Sequence, residues 1–371
     1  MIKEYDQIHI ITSLSKGGAE KMLYKLLKYS SNKKTLVICL LDNDYYSHKL
    51  KILKIETIHL NLTKKNFIQK IFIFVKILKY NSKSVIGWMY HGNLSATIFY
   101  LCKFLIFRKI RLYWNIRQTL YNINNEKKFT ILVIKLNKIL SFIPNKIIYN
   151  SKLSIIHHKN QGFNQNKSLF IPNGFEIKIS NNKYPDNLKK KLHISDSDII
   201  ISHINRFHPM KNHKLAIDVA DTILNKYKNI KFIFCGKDIS LNNDNFTKLI
   251  KLDKHKLNRC YFLDDIDEVD QLLNFTNLFL LTSSWGEGFP NIIGEAMLNE
   301  CNIISTNVGD VKEILDKNDF IVPINNKDEI IKNIDILIST GKIFKKNKKA
   351  KDIIIENFNI HNIAKQFNQV I

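Results

Sequence analysis

The feature that most constrains the fold is a regular alternation of two kinds of segment along the whole chain. Short runs of β-branched and apolar residues alternate with longer amphipathic stretches. This pattern is typical of repeated βαβ units, in which a helix returns the chain so that the next strand runs parallel to the last. We therefore predict an α/β fold with strands near residues 8–12, 35–41, 57–60, 84–88, 111–114 and 146–149, and near 198–204, 230–235, 259–263, 278–281 and 302–305.

The length and one break in the pattern predict two domains. The 371 residues, 45% of them hydrophobic, are enough for two packed cores. Two prolines, a glycine and several asparagines interrupt both periodicities over residues 172–185. We predict a Rossmann-like domain over residues 1–175, a linker over 176–190 and a second Rossmann-like domain over 191–355. Residues 356–371 are expected to form a helix that packs back on the first domain.

The positive charge of the chain is concentrated in its first half. Residues 1–180 carry 30 Lys and Arg against 8 Asp and Glu, whereas residues 181–371 carry 27 against 25. This asymmetry indicates an anionic partner of the first domain. Residues 64–79 combine lysines with apolar residues at helical spacing, which fits either a helix on an anionic membrane surface or the core face of an ordinary surface helix. The apolar residues of this stripe are Phe67, Ile68, Ile71, Phe74, Val75 and Leu78.

The sequence predicts a cytoplasmic protein. The N-terminus lacks the basic, apolar and small-residue regions of a secretory signal, and the apolar stretches are shorter than the roughly 20 residues that span a bilayer. The five cysteines are scattered without C-x-x-C spacing, so we expect reduced thiols and no structural zinc.

A glycine-rich loop between a strand and a helix is the strongest candidate for a ligand site. Residues 282–291 read TSSWGEGFPN, directly after the apolar run 278–281 and before an amphipathic stretch that begins near Pro290. Gly286 and Gly288 permit tight turns, and free N–H groups at a helix start bind hydroxyls or phosphate oxygens. Glu287 and Glu295 lie eight residues apart and are able to reach different parts of one extended ligand. From the residues alone, the simpler interpretation is favoured, in which Glu287 is a loop carboxylate and Glu295 is a solvated or capping helix residue.

Residues 287–297, EGFPNIIGEAM, resemble the E-x7-E signature of family 4 retaining glycosyltransferases. Further segments resemble the family in the same order from about residue 8 to 315, namely 15–20 (SKGGAE), 150–151, 162–163, 171–175, 204–213, 234–236 and 262–265. The resemblance implies a GT-B fold, in which two Rossmann-like domains face each other across a cleft. It also implies a retaining, metal-independent transfer from a nucleotide-diphosphate sugar, most commonly a UDP-sugar, to a glycan or polyprenyl-diphosphate-linked acceptor in bacterial surface polysaccharide (O-antigen or capsule-type) synthesis.

The resemblance also assigns roles to charged residues of the second domain. Arg206 and Lys211 are expected to neutralise the donor diphosphate, which is the task that a metal ion has in other enzymes. Glu295 is expected to accept hydrogen bonds from the ribose, and Glu287 to position the donor sugar. The family chemistry is described as front-face attack assisted by the leaving phosphate, so Glu287 is not assigned the nucleophile role of a glycosidase carboxylate.

Backbone groups and first-domain residues complete the expected site. The loop backbone is expected to hold sugar hydroxyls at Gly288, Phe289, Pro290 and Asn291. Gly17 and Gly18 are expected to approach the phosphates, although an ordinary strand-to-helix turn has the same pattern. His91 follows a predicted strand and is expected to orient the donor sugar, which makes it catalytic together with Glu287, Arg206 and Lys211; a structural histidine is the alternative. Arg117, after the next strand, is the candidate for an anionic group of the acceptor.

Three positions depart from the family pattern. Glu300 and Asn302 stand where glycine and proline are common, and Asn205 precedes Arg206 where glycine is frequent. We expect altered turn geometry and retained activity.

Two other classes of function remain as alternatives. A GT-B epimerase or phosphorylase shares the fold, since fold does not fix function. A basic nucleic-acid-binding protein fits the charge, but the sequence has no RNP-like aromatic strand, zinc spacing or basic heptads. We therefore expect no nucleic-acid partner. No cofactor is expected beyond the substrate nucleotide sugar. We expect association with the cytoplasmic face of the inner membrane through the basic first domain.

Overall fold

The computed structural model describes residues 3–30, 33–42, 45–62, 67–105, 109–177, 187–266, 269–316 and 319–371. The chain divides into two compact units. The first comprises Met1–Gly174 and Ile360–Ile371, and the second comprises Phe175–Asn359.

The first unit is built on a seven-stranded, all-parallel sheet in the order β3-β2-β1-β4-β5-β6-β7. Its central strands are buried on both faces, as is usual for parallel sheets covered by helices. The strands are β1 Lys3–Ile11, β2 Thr35–Cys39, β3 Glu56–His59, β4 Tyr80–Trp88, β5 Arg111–Ile116, β6 Lys146–Tyr149 and β7 Ser168–Phe170. The helices are α1 Gly18–Lys28, α2 Tyr45–Ile52, α3 Phe67–Ile77, α4 Met89–Leu105, α5 Lys128–Leu140 and α6 Lys152–Asn160.

The second unit is built on a six-stranded parallel sheet in the order β10-β9-β8-β11-β12-β13. Its strands are β8 Ile199–Ile204, β9 Ile230–Cys235, β10 Cys260–Leu263, β11 Leu278–Leu281, β12 Asn302–Thr306 and β13 Phe320–Val322. Its helices are α7 Asn187–Lys191, α8 His213–Lys226, α9 Asp244–Thr247, α10 Lys254–Leu257, α11 Val269–Asn274, α12 Asn291–Leu298, α13 Val311–Ile314, α14 Lys327–Ser339 and α15 Lys348–Asn357.

The α/β class with two Rossmann-like parallel-sheet domains is confirmed, and every predicted run overlaps a strand. The strands β7 and β13 were not predicted from the sequence. Each has three residues, which is too short for a periodic signal.

The last helix, α16 Ile360–Val370, belongs to the first unit. Its Phe367 ring lies 6.3 Å from Trp88 of β4, and the helix packs beside α1. The unit boundary thus falls at residues 359–360, where the sequence suggested 356. The segment expected to be a linker, residues 176–190, is counted with the second unit. Its residues 187–190 belong to α7, and its residues 178–186 lie outside the described part of the chain.

Helices cover the first sheet in two layers. Leu23, Leu50 and Phe367, from α1, α2 and α16, share one core cluster. Ile77 and Phe99, from α3 and α4, share the other cluster with residues of α5. Within the described residues, no helix is long and apolar enough to cross a bilayer.

Candidate functional site

The loop after β8 carries Arg206 and Lys211, the two cations predicted to bind the donor diphosphate. β8 is buried throughout, and Arg206, two residues beyond it, is exposed. A 3-10 turn, Pro209–Lys211, leads to Asn212, whose φ of +49° reverses the chain into α8. The Asn212 side chain caps that helix by accepting from the Leu215 amide at 3.3 Å.

Hydrogen bonds join this loop to the glycine-rich loop after β11. The Thr282 hydroxyl donates to the Lys211 carbonyl at 2.9 Å, and the Ser284 amide donates to the Met210 carbonyl at 2.8 Å. The Asn212 side-chain amide donates to the Ser284 hydroxyl at 3.0 Å. Because β8 and β11 are parallel neighbours, their carboxyl ends share one sheet edge, and both loops lie there.

Lys211 and Glu287 form an ion pair across the two loops. Lys211 Nζ lies 2.5 Å from Glu287 Oε1, and the side chains are only 14% and 10% exposed. The Ser283 hydroxyl donates to the same carboxylate oxygen at 2.7 Å. Two donors therefore orient the Glu287 carboxylate, and the ammonium is held in place at the end of β11.

A backbone hydrogen bond and core packing hold the glycine-rich loop in place. Gly286 has a φ of +75°, a conformation that favours glycine. The Gly288 carbonyl accepts from the Asp310 amide at 2.9 Å, which joins the loop to the turn after β12. Phe289 is a core residue whose ring packs 5.2 Å from Phe358. Its side chain thus supports the loop, and its backbone is the part that is able to meet a ligand.

Helix α12 begins immediately after this loop. Pro290 is its N-cap residue and contributes no side-chain acceptor. Asn291 is the first helical residue, and Glu295, half-buried, lies in the second turn. Gly294 faces Phe175, and a Cβ added at Gly294 would lie 2.2 Å from the Phe175 ring. That close packing fixes how α12 sits on the core.

Two buried histidines support the cation loop. His203 Nε2 is 2.9 Å from the Thr282 hydroxyl, and His213 Nε2 is 3.0 Å from the Arg206 carbonyl. Burial lowers the pKa of His203 well below its usual value and that of His213 to about 4. Both rings are therefore neutral at pH 7 and add no positive charge beside Arg206 and Lys211.

In the first unit, Gly17 and Gly18 form the start of α1. Gly17 is the N-cap residue, and Glu20, three positions later, folds back over it. The Glu20 carboxylate accepts from the hydroxyls of Ser15 at 3.2 Å and Ser13 at 3.4 Å, and burial raises its pKa. A carboxylate of the chain itself therefore occupies the positive end of this helix.

His91 lies at the carboxyl end of β4. The strand passes directly into α4 through Met89, whose φ is +59°. The His91 ring is half-buried, which lowers its pKa, and lies 5.7 Å from the ring of Phe129 in α5. The turn at Met89 thus places His91 at the carboxyl edge of the first sheet, as the sequence predicted.

Arg117 is a buried cation at the end of β5. Its Nε donates to Asn115 Oδ1 at 2.7 Å, and Nη1 donates to Asn173 Oδ1 at 3.0 Å and the Ile171 carbonyl at 3.2 Å. Nη2 is buried without a partner, and no carboxylate pairs with the guanidinium within the described ranges. Burial lowers its pKa to about 9, so it remains charged at pH 7.

Residues 185–369, about half of the chain, match the family model described as Glycosyl transferases group 1. The chain belongs to the glycosyl transferases group 1 family. A search of curated protein sequences gives no match.

Solved structures share the fold of this group 1 glycosyltransferase at low sequence identity. Anabaena HepE, solved with UDP, has a TM-score of 0.81 and 18% identity over 98% of both chains. A glycosyltransferase from Rickettsia africae has a TM-score of 0.77 and 18% identity over 98% of this chain and 97% of its own. Sucrose-phosphate synthase from Thermosynechococcus elongatus has 0.76 and 14% identity over 98% of both. The predicted GT-B class is confirmed.

The second unit of this glycosyltransferase brings the two sequence-predicted loops together. Lys211 and Glu287 are in contact, and the 288–291 backbone leads from that pair into α12 with Glu295. Gly17, Gly18, His91 and Arg117 belong to the first unit, where the carboxyl ends of β4 and β5 bring Met89 and Arg117 into contact. Three further residues, Ser283, Asn212 and Glu20, were not predicted from the sequence. Polar residues directly after a strand, or three positions into a helix, were the available signal for Ser283 and Glu20.

The three departures from the family pattern have structural explanations. Glu300 has a φ of +59° after α12, in a turn where glycine is easily accommodated, and pairs with Lys351 at 2.9 Å. The backbone N–H of Asn302 donates to the Asn277 carbonyl at 3.2 Å, a hydrogen bond that proline cannot make. Asn205 is not among the positive-φ residues, so its position does not require glycine.

Proposed function

We propose that this group 1 glycosyltransferase is a family 4 enzyme that transfers a hexose or N-acetylhexosamine, with retention, from a UDP-sugar to a glycan or lipid-linked acceptor. The observation that carries the proposal is the Lys211–Glu287 pair, held beside the start of α12 with Arg206 on the same loop. The fold that the chain shares with HepE, which has been solved with UDP and with UDP-glucose, supports a nucleotide-sugar donor.

The positive groups of the second unit suit a departing diphosphate. When the bond between sugar C1 and the β-phosphate oxygen breaks, that phosphate gains negative charge. A partly buried ammonium, a guanidinium and the N-terminus of α12 stabilise such charge more than water does. We propose that these groups stabilise the charge on the leaving diphosphate and that the transfer is metal-independent.

Glu287 is proposed to position the sugar. Its Oε1 is fixed by Lys211 and Ser283, so the carboxylate is oriented to accept from a sugar hydroxyl. In the proposed front-face reaction, the acceptor oxygen bonds to C1 on the face that the phosphate leaves. The acceptor proton passes to the departing phosphate oxygen, so no enzyme carboxylate acts as nucleophile. Glu295 is proposed to accept from the ribose hydroxyls.

The first unit is proposed to contribute to both substrates. We propose that His91 orients the donor sugar and that Gly17 and Gly18 approach the donor phosphates, which requires the Glu20 side chain to move away from Gly17. Arg117 is a buried cation with an unpartnered Nη2, and such a group favours an anion. We propose that it binds a phosphate of a polyprenyl-diphosphate-linked acceptor, as in the synthesis of a bacterial surface polysaccharide.

A thermal-stability panel tests the donor. A ligand that binds only the folded protein at 100 times its Kd adds about 2.7 kcal/mol of stability. We expect UDP-sugars to raise the melting temperature and GDP- and ADP-sugars to have little effect, with EDTA making no difference to subsequent sugar transfer. A panel in which no nucleotide sugar shifts the melting temperature would contradict the proposed donor.

A further inference from the structure

Helix α5 exposes an apolar stripe to solvent. Phe129, Leu132, Leu136 and Ile139 recur three or four residues apart, and Phe129 and Ile139 are 68% and 65% exposed. The other side of the helix packs into the core through Val133 and Ile134. The helix is therefore apolar on its outer face as well as on its inner one.

The neighbouring helix α4 also exposes apolar side chains, near its C-terminal end. Its Leu101, Phe104 and Leu105 are exposed, while Phe99 on its inner side belongs to the same core cluster as α5. The two helices are in direct contact, because the Asn137 side-chain amide of α5 donates to the Tyr90 carbonyl of α4 at 3.0 Å. We call the exposed side of these two adjacent helices the α4–α5 face.

The charge on and around the α4–α5 face is mainly positive. Neither helix contains Asp or Glu, and Lys128 and Lys135 are exposed on α5. Between residues 57 and 175 the sequence has 19 Lys and Arg and one acidic residue, Glu126. A partner of this face must accept apolar side chains and tolerate, or attract, positive charge.

An anionic bilayer meets both requirements. A row of exposed apolar side chains on a folded protein, such as the row on α5, marks an interaction site. A second copy in this place would set Lys128 and Lys135 against the same lysines, since the two helices carry no acid to pair with them. Apolar side chains that enter the headgroup region, flanked by lysines, are the pattern of surface-bound helices on anionic lipid. We propose that the first unit docks on an anionic membrane surface through the α4–α5 face.

The α4–α5 face is not the membrane-binding candidate that the sequence suggested, which was the apolar stripe in residues 64–79. Two members of that stripe, Phe74 and Leu78, pack against the core, whereas Val75 is exposed. Residues 64–66 and the side chains of Phe67, Ile68 and Ile71 lie outside the described part. The exposed Val75 and Phe72 of α3 lie on a helix that packs into the same core cluster as α4 and α5, on one side of the sheet.

The face reaches the candidate site of the first unit. The Phe129 ring is 5.7 Å from His91, at the carboxyl end of β4. Docking would bring this sheet edge to the lipid surface, where a lipid-linked acceptor is held. Docking itself does not rest on the proposed reaction, since it is measured without substrate.

Vesicle flotation tests the proposal. We expect the full chain to float with phosphatidylcholine vesicles that contain phosphatidylglycerol and to stay behind with phosphatidylcholine alone. The variants Leu132→Ser/Ile139→Ser and Phe104→Ser/Leu105→Ser should bind the anionic vesicles at least tenfold more weakly. Phe344→Ser is the matched control, because Phe344 of the second unit is 60% exposed and should not affect flotation.

Two further measurements separate the outcomes. Melting temperatures close to wild type for all variants show that the losses reflect docking, since the substituted side chains are exposed. Transfer from a UDP-sugar to a water-soluble acceptor should be unchanged in Leu132→Ser/Ile139→Ser, so failure to dock is distinct from failure of the proposed reaction. Undiminished flotation of both double variants would overturn the proposal. A dimer that these substitutions dissociate, with no flotation of the wild type, would overturn it in favour of a second copy.

Discussion

The ammonium nitrogen of Lys211 lies 2.5 Å from the Glu287 carboxylate, although the residues are 76 positions apart in the chain. The pair joins the loop after β8 to the loop after β11, and Ser283 holds the same carboxylate oxygen. A cation for phosphate and an acceptor for sugar hydroxyls are thereby fixed side by side.

Replacing Lys211 should reduce sugar transfer strongly. We expect Lys211→Gln to lower turnover by about 10² to 10³, because one of the fixed positive charges at the leaving phosphate is lost. Steady-state kinetics with a UDP-sugar measures the effect. Lys214→Gln is the matched control, since Lys214 is exposed and pairs with Asp218 one helical turn away; its turnover should stay within about twofold. Equal losses in the two variants would remove Lys211 from the site.

Replacing Arg117 should remove an anion site from the first unit. We expect inorganic phosphate to raise the melting temperature of the wild type and, to a smaller extent, that of Lys211→Gln. Adding Arg117→Gln to the Lys211→Gln variant should abolish the remaining stabilisation. The physical reason is the buried, unpaired Nη2 and the absence of a paired carboxylate among the described residues. If phosphate stabilises Lys211→Gln and the double variant equally, Arg117 does not bind the anion.

Gly294→Ala should destabilise the second unit. A Cβ at this position would lie 2.2 Å from the Phe175 ring, and such overpacking costs about 1–3 kcal/mol. Urea denaturation measures the loss. In a Phe175→Leu background the same substitution should cost less, because the ring that it meets is absent. Additive effects in this double-mutant cycle would contradict the contact.

Glu300→Gly should be more stable than Glu300→Ala by about 1 kcal/mol. Both variants lose the ion pair with Lys351, but only glycine adopts the φ of +59° without strain. The hydrogen bonds from Glu300 N to Met297 O and from Cys301 N to Ala296 O form a Schellman turn, which favours glycine here. Thermal unfolding of the two variants provides the comparison, and an alanine variant as stable as the glycine variant would count against a strained turn.

Asp319 should make stability fall as pH rises. Burial raises the pKa of its carboxyl group from 3.8 to about 7, so the folded protein holds this proton more tightly than the unfolded chain does. The resulting stabilisation is complete below about pH 4 and is lost as pH rises towards 7. We expect the wild type to lose a few kcal/mol at most relative to Asp319→Asn between pH 4 and pH 8. Urea titrations of both proteins across this range test the sign, and the histidines, present in both, cancel in the difference.

Much of the fold was predictable because it depends on local patterns. Apolar runs of four or more residues identified eleven strands, and their alternation with helices indicated parallel sheets. The strands β7 and β13 were missed because three residues do not establish a period. The glycine-rich loop and the start of α12 near Pro290 were also readable, since glycine, proline and the helical period act within a few residues.

The sequence by itself determined the two sheets, the glycine-rich loop and the residue types of the candidate site, because these follow from backbone preferences and short-range periodicity. Only the tertiary structure decided which of those residues meet. The adjacency of β8 and β11 pairs Lys211 with Glu287, and the burial of Arg117 leaves its Nη2 without a partner. The tertiary structure likewise decided that the α4–α5 face is exposed. A helical period shows that a stripe exists, but the packing of the neighbouring elements decides which stripe remains in contact with solvent.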